Sequence, residues 1–544
     1  MGRGFLQTLG LALLVCGPAF AAVHYERSVV VPGIAGAAPG ISPHGINGMN
    51  FGPDGALYTA SLIGPGIYRV DVATGAVTEI VGAPQGEADD VAVAADGTLA
   101  WTALIAGELR VRRPDGSVLT LERDLPLVNP VNFTADGRLF AGQIGQPDTL
   151  FEIDPHGIKP RRLIASGIGG INAFVDDGHG GLYVPLAEKG AVGRIDLATG
   201  AVTVIASGLG QPVAVKRDSK GALVTIDWSS GAVIQVDPAS GTTRRIAVVA
   251  PPLDNLAIGA DDTIYVSRPV DNSIIAVDPG SGAQRPIVQG RLAAPGGLAV
   301  MQRNGRTVLA ISDAMGYRYA DAQSGNVELL PFDLVSNGSS AIAISAQTIA
   351  ISYVRRATVS VIDRASGRVL HGLKGFKAPM GIAALADGTL FVVDYGSGEL
   401  LRLAPGAQPE RSVVASGLQG PTGLAVDARG QLLVTEALAG TLLRIDPVSG
   451  AKRLIARGLA QPEGLTVLPD GQIAVAEVGT RRLSLIAPRS GARRVIAADL
   501  PVGQMFTRAP APVYLPTGVA SDAAGAIYVS CDRDNSVLKF TPRR

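Results

Sequence analysis

Between Ser416 and Gly458 four short alternating apolar runs, GLAV, QLLVTE, TLLRID and KRLIAR, are separated by Gly, Asp-Pro and Ser-Gly turn signals. This pattern predicts a four-stranded antiparallel meander. One meander cannot bury both of its own faces, so it has to stack on copies of itself, and the chain supplies them. Taking the residue just ahead of the small residue that opens the first strand, equivalents stand at Asn47, Asp89, Asn129, Asn172, Val213, Asp254, Gly296, Ser340, Met380, Thr422, Glu463 and Thr517. Their spacing stays between 40 and 44 residues until a last step of 54, which carries an insertion around Leu500 to Pro512. Four strands per unit at this period is the signature of a β-propeller, here with twelve blades.

Propellers typically have about 4–8 blades, so two rings of six is the expected grouping. The phrase Glu-Arg-Ser-Val-Val occurs at Glu26–Val30 and again at Glu410–Val414, where it is an outer strand, and the last repeat stops after its third strand. The simplest closure applies one rule twice. The strand near 25–33 completes the blade ending at Asp278, the strand Gln284 to Gln289 completes the blade ending at Phe540, and each ring is latched by its own N-terminal strand. The expectation is all-β, with a signal peptide at 1–21, a first six-bladed propeller at 22–280 and a second at 281–544.

At 544 residues the chain exceeds one ordinary core and fits two domains. Its 47 basic and 47 acidic side chains cancel, with no basic run, which argues against nucleic acid as a partner. Residues 1–21 carry an early Arg, an apolar run from Leu9 to Val15 and an Ala19-Phe-Ala21 site, the grammar of a cleaved export signal. Cys16 fits a lipoprotein acceptor poorly behind Val15. After cleavage only Cys531 remains, so no intramolecular disulfide can form. No later stretch is long and apolar enough to span a bilayer. The expected location is periplasmic or secreted.

Innermost strands run beside a propeller's axis, so equivalent residues at their starts line one mouth of its channel. In the first six repeats these are Asn47, Asp89, Asn129, Asn172, Val213 and Asp254. Five of the six offer an amide or carboxylate oxygen, the donors a hard divalent cation such as calcium seeks at about 2.3–2.6 Å. Polar residues line any water-filled channel, and Asn and Asp favour turns. The second six repeats are an internal control: Gly296, Ser340, Met380, Thr422, Glu463 and Thr517 include no Asn or Asp. A metal is expected at the first mouth and not at the second. An alignment shifted by one would replace Asp89 by Asp90, and Asn132 is the alternative to Asn129.

The Asn-Gly pair at Asn47-Gly48 and the Leu-Asp-Asn-Leu of Leu253–Leu256 resemble the superfamily of senescence marker protein-30, gluconolactonase and paraoxonase. The resemblance implies a calcium-dependent hydrolase of lactones, esters or phosphoesters, with Asn129 and Asn172 at positions of Asn ligands. Those families usually begin the ring with a Glu, which is missing here. The phrases VVDYGSGELLRL and VTEALAGTLLRI in the second half are similar to NHL repeats and streptogramin lyase. A lyase would need catalytic histidines, and that half holds only His371, on an outer strand.

Under the hydrolase reading Asp254, Asp89 or His44, three residues ahead of Asn47, would activate water or attack directly. Asp227, Trp228, Arg268 and Asp271 fall in loops expected at the same mouth. His179 belongs to a turn at the opposite end of its blade. Asp313, Asp394, Glu436, Glu477 and Asp532 end second strands, where a carboxylate can anchor backbone N–H groups. The alternatives are a non-catalytic propeller holding a small-molecule ligand at either mouth or a protein partner on the second ring, and, third, a carbon–oxygen lyase. Met505 and Phe506, in the insertion, are expected to cover the second mouth or meet the other ring.

Overall fold

The computed structural model describes residues 23–329, 338–504 and 516–543 apart from Pro39, Pro65 and Ala407. They form twelve four-stranded antiparallel sheets of the form of propeller blades, eleven of them meanders of consecutive strands. The alternation read from sequence sets the strands. In Leu432–Glu436 every residue is buried, whereas the outer strand Lys452–Arg457 exposes its first three, as expected for the inner and outer parts of one blade.

A turn with Asp at its start and Gly four residues on joins the third and fourth strands of many sheets. At Asp446, Oδ1 accepts the N–H groups of Val448 and Ser449, and the Gly450 N–H donates to the Asp446 carbonyl. Gly450 has φ 70°, which L side chains rarely adopt. A Cβ there would also lie 2.1 Å from the carbonyl oxygen of Val414 on the preceding sheet. Glycine therefore serves both the turn and the contact between sheets.

The same contact shows which sheets meet. A Cβ on Gly75, in the first sheet, would lie 2.5 Å from the Ile287 carbonyl oxygen in the sixth. Ile46, Met49 and Leu57 of the first sheet share a core cluster with Tyr265, Ile274 and Val288 of the sixth, and Phe51 meets Tyr265 edge-on at 5.3 Å. In the other half a Cβ on Gly325, in the seventh sheet, would lie 2.0 Å from the Val30 carbonyl oxygen. Leu298, Leu309 and Ile311 pack with Ala520, Tyr528 and Val537 of the last sheet. In the first array of sheets the first thus meets the sixth, and in the second the seventh meets the last.

The expected closure is corrected. His24–Val31 pairs antiparallel with Ser536–Arg543 and completes the last sheet. Gln284–Val288 pairs with Ser273–Val277, its own predecessor. The first array therefore consists of consecutive strands and has no latching strand, and the break between arrays falls after Val288. The second array receives the N-terminal strand, with Val31 wholly buried beside Leu292 and Val537. Outer strands are all similar apolar alternations, so local pattern does not select between two open edges.

The arrays meet along a seam. Asn272, at φ 58°, accepts the Gly45 and Ile46 N–H groups on Oδ1 and donates through Nδ2 to the carbonyls of Leu292 and Ala293. Arg318 donates to the Val270 carbonyl, and Asn535 to Ser42 Oγ and the Pro43 carbonyl. Val270, Ala293 and Met315 form a small apolar cluster with Leu62 and Ile63.

Both tryptophans, Trp101 and Trp228, belong to the first array. Removing residues 23–32 should open the last sheet and lower the melting temperature seen by far-ultraviolet circular dichroism by about 6–12 °C, taking ~3 kcal/mol lost at roughly 2–4 °C per kcal/mol for a unit of this size. Tryptophan fluorescence should keep its transition nearer to that of the full chain. Equal shifts by both probes would contradict this division of the strands.

Candidate functional site at the first channel mouth

Several inner strands of the first array begin with a register slip. Between Ile46 and Met49, and again between Val128 and Val131, one residue falls out of the pairing. Such bulges break the two-residue alternation. In the second sheet Asp89 and Asp90 likewise both stand opposite Thr102, the Asp89 N–H donating to the Thr102 carbonyl and the Thr102 N–H to the Asp90 carbonyl; both side chains are buried, and the choice between them is resolved as both. The Gly48 N–H donates to the Asp89 carbonyl at 3.0 Å, joining the first two inner strands. A Cβ on Gly48 would lie 2.1 Å from Asp90 Oδ1, so the glycine leaves room for that carboxylate.

Asn47 Nδ2 donates to Asp89 Oδ1 at 3.0 Å. Asp90 Oδ1 accepts the Val91 N–H at 2.9 Å and Asn255 Nδ2 at 3.3 Å, while Oδ2 accepts the Val131 N–H at 3.1 Å. Asp90 thereby ties together strands of the second, third and sixth sheets. Asp254 is half-buried, its N–H donating to the Ser267 carbonyl. Asn47, Asp89, Asp90 and Asn255 are all buried. Asn129 and Asn172 are half-buried. The Asn129 carbonyl accepts Thr102 Oγ1, and Asn172 turns its side-chain oxygen onto the Ala173 N–H at 2.8 Å.

Three carboxyls in one enclosed mouth disfavour ionisation. Burial, then the charges of Asp254 and Asp90, raises Asp89 well above the usual carboxylate range. Burial and then Asp90 push Asp254 up to about 7. Asp90 is pushed to about 6 by burial, opposed by Lys216 and by the hydrogen bonds it accepts.

Lys216 was not foreseen from sequence. It is buried, its amine held below the ordinary value by desolvation and partly restored by Asp90, and Nζ donates to the Phe174 carbonyl at 3.4 Å. Asn132 donates to the same carbonyl at 3.0 Å and accepts Asn50 at 3.5 Å. Asn50, Asn132 and Lys216 each stand three residues after the residue aligned at the mouth. That shared offset was the available signal for a second polar layer.

His44 is placed elsewhere than expected. It is buried in the seam, its N–H donating to Ser61 Oγ and its Nε2 against the carbonyl of Asp532 in the last sheet. Burial lowers its pKa to about 4, leaving a neutral imidazole whose Nδ1 has no partner. Arg268 and Asp271 form a 2.8 Å ion pair in the same seam, beside Arg318. Asp227 accepts the Gln211 and Ser229 N–H groups and serves as a loop clamp.

The acids ending second strands in the second array do the same. Asp313 holds the Ala293 and Ala294 N–H groups, Asp394 those of Lys377 and Ala378, Glu436 that of Gln419, Glu477 that of Ala460 and Asp532 those of Gly503 and Gln504. In every case the clamped loop leads into the acid's own sheet. His371 lies on the outer strand Val369–Leu373, and Met505 and Phe506 fall outside the described residues.

Hard oxygen donors dominate the first mouth, which suits an oxygen-seeking cation. Among the described residues, however, no three His, Cys, Asp or Glu side chains stand close enough to hold one metal ion. Amide oxygens and water would complete the coordination, and Asn47 would have to present its oxygen in place of its amide nitrogen.

A raised carboxyl stabilises the fold fully below the unfolded value near 3.8, and that contribution is lost as pH rises through the folded value. In divalent-free buffer, stability should therefore fall between about pH 5 and pH 8, across the values for Asp90 and Asp254. Asp254→Asn should flatten that slope in urea titrations. A slope unchanged by the substitution would show that these carboxyls are not coupled to folding.

No family model and no curated protein matches the chain. Among solved structures it is similar to one of a nidogen/laminin complex, at 23% identity over 37% of this chain and 78% of that one, with a TM-score of 0.34. Streptogramin B lyase aligns at 13% identity over 61% of this chain and 93% of the lyase, TM-score 0.32. The extracellular domain of a putative one-component system of B. thetaiotaomicron aligns at 12% identity over 94% of this chain and 82% of that one, TM-score 0.32.

Proposed function

We propose that the chain is an exported pair of six-bladed β-propellers whose first channel mouth holds a divalent cation, calcium by its oxygen donors, and hydrolyses a lactone, ester or phosphoester. The observation that carries the reading is the burial of Asp89 and Asp90 in one mouth, electrostatically coupled to the half-buried Asp254, where Lys216 is the cation drawn to Asp90. The export reading rests on residues 1–21, which lie outside the described residues. Within the latter, no helix is long and apolar enough to cross a membrane.

In this reading Asp89, Asp254 and Asn47 hold the ion, with Asn129 and Asn172 as further ligands once their side chains turn inward. A bound calcium supplies a Lewis acid for a carbonyl or phosphoryl oxygen. Asp254, the acid with partial solvent exposure, is the residue suited to take a proton from water. Asp89 is held by Asn47 and is the better ligand. His44 leaves the catalytic set, because its imidazole is sealed in the seam.

That withdrawal favours a second reading, a non-catalytic propeller holding a small ligand at the first mouth or a protein partner on the second array. Elemental analysis for calcium, followed by a lactone and aryl-ester panel with and without chelator, separates the two. Chelator-sensitive turnover supports the hydrolase. Bound calcium with no turnover leaves the binding protein.

Calcium should raise the melting temperature by binding the folded state, with about 2.7 kcal/mol gained at a hundredfold excess over Kd. Asp254→Ala should abolish the shift, and Glu463→Gln in the second array should leave it intact. Equal responses from both variants, or no shift in the parent, would remove the metal from the proposal.

A further inference from the structure

The second channel also encloses an acid. Glu463 has no solvent exposure; its Oε2 accepts the Thr517 N–H at 2.6 Å, and its Oε1 has no partner. Thr517 Oγ1 is also buried and makes no hydrogen bond of good geometry, though its hydroxyl lies close enough to the Glu463 carboxyl to favour the charged form. Both residues line a cavity of about 70 Å³ on the channel, together with Ser340 and Thr422. Its walls come close because glycines follow the mouth residues. A Cβ on Gly464 would lie 2.3 Å from the Thr517 carbonyl oxygen, so the cavity is framed by fixed backbone.

The two channels of this one chain differ in the charged side chains they enclose. In the first, the buried carboxylate Asp90 is accompanied by the buried amine of Lys216. In the second, no Lys, Arg or His lines the cavity beside Glu463, and its charged neighbour is another acid, Asp532. Among the described residues Glu463 has no ion pair within 4.0 Å. Burial, and then the charge of Asp532, hold the Glu463 carboxyl well above the usual carboxylate range, so that without a counter-charge it takes up a proton, which an entering cation would displace. Where the first channel brings a cation on a side chain, the second leaves a void and two oxygens without a hydrogen bond of good geometry.

We propose that the second channel binds a small monovalent cation, potassium, sodium or ammonium, between Glu463 Oε1 and Thr517 Oγ1. The single positive charge matches the single carboxylate that faces the cavity. The size fits as well: a water needs roughly 10–15 Å³ of such space, so an ion with a few waters is accommodated. Drug-sized ligands occupy pockets of about 300 Å³ or more.

The test compares melting temperatures of the full chain in potassium, sodium, ammonium and tetramethylammonium chloride at equal ionic strength. The first three arms distinguish the ions, and the last is too large for the cavity. At least one small cation should raise the transition by several degrees over tetramethylammonium. Glu463→Gln, which keeps the shape and removes the charge, should erase that difference; should this variant fail to fold, Thr517→Val should at least halve it. Thallium(I) soaked into a crystal should give an anomalous peak beside Glu463 Oε1. No ion-specific shift in the parent, a shift that survives in Glu463→Gln, or no thallium peak would overturn the site.

Discussion

Neighbouring sheets in this molecule touch backbone to backbone, and that approach is possible only where a side chain is missing. On the outside, Gly75, Gly325 and Gly450 lay their turns against carbonyls of the adjoining sheet. Along the channels, Gly48, Gly297 and Gly464 donate their N–H groups to the carbonyls of Asp89, Ser340 and Thr517 on the next inner strand. A methyl group at any of these places would overlap its neighbour. At these six places glycine is therefore a packing requirement, and along the channels it fixes where the preceding residues, Asn47, Gly296 and Glu463, stand.

From that shared frame the two arrays diverge. The first keeps side chains after its mouth residues, among them Asp90 and Asn255, and fills its channel with a polar network anchored on Lys216. The second replaces most of these by glycine, so its strands close up and one acid is enclosed. The frame is alike in both, so the chemical difference comes from a few residues at equivalent positions. The carboxylates that end second strands belong to the frame and not to the chemistry, since each is occupied by backbone N–H groups.

The twelve sheets were legible because strand period, turn residues and repeat length all point to the same element, and each is a local property. Closure was not legible. Glu26–Val30 matches Glu410–Val414, which identifies an outer strand but not its partner, and partner choice here is made by the seam around Val31, Leu292 and Val537. In the site, Asp89 and Asp254 were readable from their position in the repeat. Asp90 was ambiguous because the bulge at the strand start suspends the alternation on which register reasoning depends. Lys216 was obscured by its setting, a charged residue inside the apolar phrase PVAVKR. His44 looked like a mouth residue because nothing near it in sequence reveals that the other array covers it.

The N-terminal strand sits in the last sheet, so the whole first array is an insertion within the second. A vectorially emerging chain makes the strand His24–Val31 first and its partner Ser536–Arg543 last. Holding a flexible loop of that length closed costs only about 3 kcal/mol more than a ten-residue hairpin, at roughly 0.6 kcal/mol per doubling. Much of even that cost disappears if the first array folds early. The chain leaves the second array at Val31 and returns at Leu292, and these two residues lie in one apolar cluster. A completed first array thus acts as a rigid staple that brings the two ends of its own insertion together, turning a distant pairing into a nearby one before the final strand is made.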